Sequence, residues 1–182
     1  MMTGQDMNVN PRLPIVGVIG SGTRSFEERA SRLGRWLAGR GVHLLTGGGG
    51  GVMASVSRAF YESEGRQGSV IGILPCAENP VFPKPGYPNP WVEIPVFTHL
   101  PLSGTRGTEP MSRNHINVLS SDLIVALPGG PGTLSELMLA LSYQKPVIAF
   151  LRSADEIPGL PDKVPFRSDF DELCIFIMQT LA

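Results

Sequence analysis

Cysteine is almost missing from this sequence. Only Cys76 and Cys174 occur, with no CxxC and no metal-ligand spacing around either, which argues against a disulfide scaffold and against a zinc site. Charge is also thin: Asp, Glu, Lys and Arg make up 17% of the chain, and 15 basic residues against 16 acidic ones leave a net charge of -1. A balance of that kind gives no global field to draw the protein to nucleic acid or to an anionic membrane. No window approaches the roughly 20 apolar residues of a membrane span, and residues 1–12 lack the apolar run of a secretory signal. The expectation is a cytoplasmic protein whose partner is a small molecule, with residues 1–12 as a flexible N-terminus and residues 13–182 as a single domain.

What the sequence does have is rhythm. Short runs rich in β-branched residues at 14–20 (PIVGVIG), 42–46 (VHLLT), 69–74 (SVIGIL), 94–98, 122–127 (DLIVAL) and 146–151 (PVIAFL) alternate with helix-period stretches at 26–38, 52–64, 110–120, 134–143 and 169–181. Most runs are continuously apolar, as in parallel strands covered on both faces. The implied fold is α/β: a Rossmann-like, doubly wound parallel sheet with helices on both faces. The last stretch carries Phe170, Leu173, Phe176, Ile177 and Met178 on one side. These must pack on the sheet or on a second copy of the chain, so a homo-oligomer, dimer or larger, is expected. Residues 75–95 break the rhythm, because Pro75, Pro80, Pro83, Pro85, Pro88, Pro90 and Pro95 preclude helix or strand over most of that length. Residues 101–110 and 153–168 read as loops for the same reason, more weakly.

Three of the runs end in glycine-rich turns. The first leads into Gly20, Ser21 and Gly22, the second into Gly47, Gly48, Gly49, Gly50 and Gly51, and the fifth into Pro128, Gly129, Gly130, Pro131, Gly132 and Thr133. In a parallel α/β sheet the C-terminal ends of all strands share one edge, and ligands bind there where the winding reverses. Glycine lets a backbone approach a ligand, and the N-terminus of the following helix offers free N–H groups to an anion. Five consecutive glycines plus a second loop with three exceed what turning the chain requires, which points to a small phosphorylated ligand. Residues 20–25 lack the third glycine of GxGxxG, and no Asp or Glu ends the second strand to hold a ribose. Those gaps disfavour a dinucleotide, and the lack of GxxxxGK[ST] excludes a P-loop.

Glu136 follows Thr133 by three residues. If a helix starts near Thr133, the two spell a capping box and the carboxylate complements the helix dipole. Alternatively Glu136 faces the ligand, where it stabilises positive charge developing on a sugar or activates water. Arg113, in the polar stretch Ser112-Arg113-Asn114-His115, can clamp a phosphate or a leaving base, or can be a solvated surface charge. His115 has no identifiable partner, and His43 and His99 read as structural. Neither a Ser-His-Asp order nor a metal-binding cluster can be drawn.

The segment PGGPGTLSE at 128–136 resembles the PGGxGTxxE signature of the LOG (LONELY GUY) family, whose members were often labelled lysine decarboxylases. Arg113 stands 15 residues before Pro128, as the catalytic arginine of that family does, and residues 46–53 resemble its GGGxxGxM stretch. The likeness extends over roughly residues 15–150. It implies a Rossmann-like fold, an assembly that is dimeric or larger, and a phosphoribohydrolase activity. That activity cleaves the N-glycosidic bond of a nucleoside 5'-monophosphate such as a cytokinin riboside phosphate or AMP. On this resemblance Arg113 and Glu136 are the catalytic pair, Gly129, Gly130, Gly132 and Thr133 hold the phosphate, and no cofactor is required.

Asn114 stands where the LOG family carries a lysine. Arg113-Asn114, Ser120-Ser121-Asp122 and residues 89–95 (NPWVEIP) are more similar to a sister branch that includes molybdenum cofactor carrier proteins. That likeness implies the alternative of a non-catalytic carrier or sensor, using the same loops to hold a phosphorylated ligand intact. The decarboxylase label fails either way. Pyridoxal phosphate chemistry needs a Schiff-base lysine, and the chain has only Lys84 and Lys163, among prolines, and Lys145, directly before a strand.

Overall fold

The computed structural model describes residues 12–77 and 82–182. The expected flexible N-terminus lies outside the described residues except for Arg12. Seven strands form one parallel sheet: β1 (Ile15–Ile19), β2 (His43–Thr46), β3 (Val70–Leu74), β4 (Ile94–Phe97), β5 (Leu123–Ala126), β6 (Val147–Phe150) and β7 (Phe166–Arg167). Their order is β4-β3-β2-β1-β5-β6-β7. The chain winds outward from β1 to β4, then returns to the other side of β1 as β5, so the winding reverses between β1 and β5. This is the Rossmann-like doubly wound sheet that the alternating pattern implies, and the crevice it opens at the C-terminal strand ends is where such folds bind ligands.

Neighbouring residues of a strand point to opposite faces. Val16, Val18, Leu123, Val125, Ile148 and Phe150 therefore share one face, while Ile19, Ile124, Ala126, Val147 and Ala149 share the other. On the first face pack α1 (Glu27–Ala38), α2 (Val52–Tyr61) and α5 (Phe170–Leu181), through Leu33, Leu37, Val56, Phe60, Leu173 and Ile177. On the second face pack α3 (Asn114–Ser120) and α4 (Pro131–Ser142), through Val118, Leu137 and Ala140. Each fully buried Leu or Phe contributes about 1.5–3 kcal/mol, and both layers hold several, so the sheet is anchored from both sides. In α5 the residues Phe170, Leu173 and Ile177 are buried, whereas Met178 is 48% exposed. The sheet covers most of the apolar face of that helix.

Helix ends follow local chemistry. Asp169 caps α5, its carboxylate accepting from the N–H groups of Asp171 and Glu172 at 2.8 and 3.0 Å. Helix α4 begins at Pro131, three residues before the expected 134, because proline lacks only an N–H that the first helical position does not use. Helix α3 is shorter than the expected 110–120, since residues 110–113 form turns and bridges. The edge strand β4 departs from the both-faces-covered expectation, with all four of its residues exposed. Its crossover from β3 is the proline-rich segment, whose described residues supply no helix to lie on it. Strand β7 was not expected at all and falls inside the predicted 153–168 loop. Among the described residues no helix is long and apolar enough to cross a membrane.

Candidate functional site

The three glycine turns converge at the reversal of winding. Ser21 N–H donates to the Pro128 carbonyl at 3.0 Å, and Val52 N–H donates to the Ser21 carbonyl at 2.9 Å, so the loop after β1 is tied to both others. Gly51 has φ +59, and a side chain there would collide with the backbone of Ser21 and Gly22. Only glycine permits that approach. Between the loops lies a cleft of about 310 Å³, at the lower end of the size of small-molecule sites.

Of the predicted ligand residues, Gly20, Ser21 and Gly22 line the cleft on the β1 side, Gly47 on the β2 side, and Gly130, Gly132 and Thr133 on the β5 side. Arg113, Asn114 and Glu136 also line it. Gly48, Gly49, Gly50 and Gly51 do not. They shape the turn behind it, where Gly48 N–H donates to the Thr46 hydroxyl at 3.1 Å. Pro128 and Gly129 face a neighbouring hollow beside Arg24 and Phe26 instead.

The end of α4 facing this cleft has no side-chain cap and no acidic residue in its first turn. Its first N–H groups have no partner within the helix, as in any α-helix. The Thr133 hydroxyl, in a residue only 2% exposed, has no hydrogen-bond partner among the described residues. Of the two readings of Glu136, the capping box does not form. With the helix starting at Pro131, Glu136 lies beyond the first turn, too far along to return to the N-cap.

The Glu136 carboxylate instead turns toward α3. Oε1 accepts from Asn117 Nδ2 at 2.8 Å and lies 3.9 Å from Arg113 Nη1. Burial pushes its pKa above the ordinary glutamate value, with the positive charge of Arg113 and the Asn117 hydrogen bond opposing that rise. Arg113 is not a solvated surface charge: it is 5% exposed. Its guanidinium lies over Gly47, where any side chain would strike it, and its Nε has no partner among the described residues. A buried guanidinium with five donors and one loose ion pair is short of acceptors. It has donors to spare for an acceptor in the cleft.

Asn114 is buried beside it, with its amide 3.4 Å from the Ser135 hydroxyl. Asn117, Met53 and Tyr87 belong to the cleft or its support and were not anticipated. Asn117 follows Arg113 by four residues, one helical turn, which is the signal that would have placed it beside the same partner. Tyr87 comes from the proline-rich segment and left no such signal. His115 does have partners, contrary to expectation: its ring nitrogens lie 2.6 Å from the Tyr143 hydroxyl and 3.0 Å from the Glu109 carbonyl, outside the cleft. Lys145 is a strut, bonding the carbonyls of Leu119 and Ser121 at 2.8 Å. No lysine among the described residues lines the cleft.

Comparison with known proteins sets this cleft in a lineage. Residues 13–172 match the model of the SLOG cluster4 family. A molybdenum cofactor binding protein from the phototrophic bacterium Rippkaea orientalis superposes with a TM-score of 0.70 at 34% identity, over 93% of this chain and 98% of that one. The molybdenum cofactor carrier protein of Chlamydomonas reinhardtii gives 0.70 at 30% identity, over 93% and 99%. A probable cytokinin riboside 5'-monophosphate phosphoribohydrolase of Oryza sativa, LOGL5, is 35% identical over 121 residues, which is 65% of this chain and 42% of the rice protein. The chain thus spans less than half the length of that plant relative.

Proposed function

The chain belongs to the SLOG cluster4 family, and from that premise we propose that its cleft binds a nucleoside 5'-monophosphate and hydrolyses the bond between base and ribose. The observation that carries this reading is Glu136, a buried carboxylate on the wall of a cleft, held by Asn117 and only loosely paired with Arg113. The phosphate sits at the open N-terminus of α4, on the N–H groups of Gly132 and Thr133 and on the Thr133 hydroxyl. Arg113 completes the anion site and orients the ligand.

As the C1'–N bond breaks, its electron pair leaves with the base and positive charge develops on the ribose. A desolvated carboxylate beside that carbon stabilises the charge more strongly than one in water. Water then adds to C1', giving up a proton to Glu136, whose raised pKa suits it to receive one, and that proton passes on to the departed base, which restores the carboxylate. The products are free base and ribose 5-phosphate.

Incubating the protein with a panel of nucleoside 5'-monophosphates, and following base and ribose 5-phosphate by chromatography, tests the reading. Glu136→Gln keeps an acceptor for Asn117 but removes the charge. It should lower base release by about 10²- to 10⁴-fold and leave ligand affinity within a few-fold. Equal turnover in the variant would remove Glu136 from the chemistry.

A second reading has its own support. The relatives that resemble this chain over nearly its whole length are named as molybdenum cofactor carrier and binding proteins, and Asn114 stands beside Arg113 where the hydrolases have lysine. On this reading the same loops hold a pterin phosphate without breaking a bond. Silence across the nucleotide panel, with ligands still raising the melting temperature, would select it.

A further inference from the structure

Among the described residues of the proline-rich crossing from β3 to β4, Tyr87 sends its side chain to the wall of the cleft. We propose that Tyr87 is the platform on which the flat heteroaromatic ring of the ligand lies, and that Asn89 is the positioning residue that holds the platform there. The inference rests on the nucleotide-like reading of the cleft given above.

Three observations carry it. First, the ring of Tyr87 and the methyl of Met53 lie side by side over Gly49: a side chain at 49 would come within 2.7 Å of Tyr87 Cε1 and 2.9 Å of Met53 Cε. The second glycine loop is thus bare where an aromatic wall needs room. Second, the wall is anchored from beneath. Asn89, 6% exposed, donates from its backbone N–H to the Gly48 carbonyl at 2.7 Å and from Nδ2 to the Gly49 carbonyl at 3.0 Å. Its Oδ1 accepts from Trp91 N–H at 3.2 Å. One arm of that side chain fastens the segment to the glycine loop, and the other braces the turn that follows within the segment.

Third, the two sides of the cleft differ in chemistry. The β5 side offers N–H groups and the Thr133 hydroxyl, with the Arg113 guanidinium lying between Gly47 and Glu136, whereas the wall over Gly49 offers Met53 and a half-buried tyrosine ring. A ligand with phosphate at one end and a planar ring at the other satisfies both. A purine and a pterin share that ring chemistry. Stacking is tolerant of ring identity because every such ring has a π-face.

Calorimetry with three probes tests the platform: carbocyclic AMP, which cannot form the oxocarbenium ion and is not consumed, 6-hydroxymethylpterin phosphate, and ribose 5-phosphate, which has no ring to stack. Tyr87→Leu keeps bulk and removes the π-face. It should weaken whichever ring-bearing probe binds the wild type by about 5- to 150-fold, with ribose 5-phosphate unchanged. Tyr87→Phe should bind like the wild type, and Asn89→Ala should reproduce the ring-selective loss at smaller size. Which ring-bearing probe binds separates a purine site from a pterin site. Equal weakening of all probes by Tyr87→Leu, or none, overturns the platform while leaving the phosphate reading intact. A wild type that binds none of the three overturns both.

Discussion

Helices α4 and α5 are each 12 residues long and both are mostly apolar, yet their N-termini are finished in opposite ways. Helix α5 opens on Asp169, which occupies two of its free N–H groups, and Asp171 and Glu172 add negative charge to the first turn. Helix α4 opens on Gly130, Pro131 and Gly132 with neither cap nor acid. By the usual criteria of helix stability α4 is the worse finished of the two. The difference teaches where the molecule leaves its backbone donors free. The sealed end lies away from the cleft, and the open end faces the crevice where the sheet reverses its winding.

The comparison breaks most visibly at Thr133. Thr133→Val keeps the shape and removes the hydroxyl. A hydrogen bond to a charged oxygen contributes about 1.5–3 kcal/mol, so affinity for ribose 5-phosphate should fall roughly 10- to 150-fold by calorimetry. Thermal stability should hold or rise slightly, because that hydroxyl is buried without a partner. Unchanged affinity would mean that the open end of α4 is not where phosphate sits.

At the sealed end the expectation is reversed. Asp169→Ala should cost about 1 kcal/mol of stability in urea unfolding with ligand affinity untouched. A loss of affinity there would show that the two ends are not independent.

The smallest expected effect is on pH dependence. Burial holds Glu136 above the ordinary glutamate pKa of 4.5, so the folded chain binds this proton more tightly than the unfolded one. The stability it contributes is full below the ordinary glutamate value and is lost as pH rises through the raised one. Thermal unfolding from about pH 4 to pH 8 should lose that slope in Glu136→Gln. In Asn117→Ala, where a hydrogen bond to the carboxylate is gone, the slope should move to higher pH. An unaltered slope in Glu136→Gln would assign it to another group.

Six of the seven strands, and all five helices, were legible in the sequence to within a few residues. Continuous apolar runs and glycine punctuation report directly on a parallel sheet. Strand β7 was not, because Phe166–Arg167 is too short for any periodicity and borrows its order from β6. Pro131 misled as punctuation, since proline ends one helix and begins the next with equal ease. The residues that line the cleft from the glycine turns could be read because glycine at a strand end has few other reasons to cluster. Those that depend on packing between elements could not: Asn117 matters only because α3 lies on α4, and Tyr87 only because Asn89 fastens its segment to a distant loop.

Arg113 reaches Glu136 across a stretch of backbone that carries no side chain at residue 47. The two positions are therefore coupled sterically. A substitution at Gly47 displaces the guanidinium before it touches any ligand, and the arginine at 113 must then take another position. A variant of this chain that exchanges Gly47 disturbs the arginine as well, although residue 113 itself is unchanged.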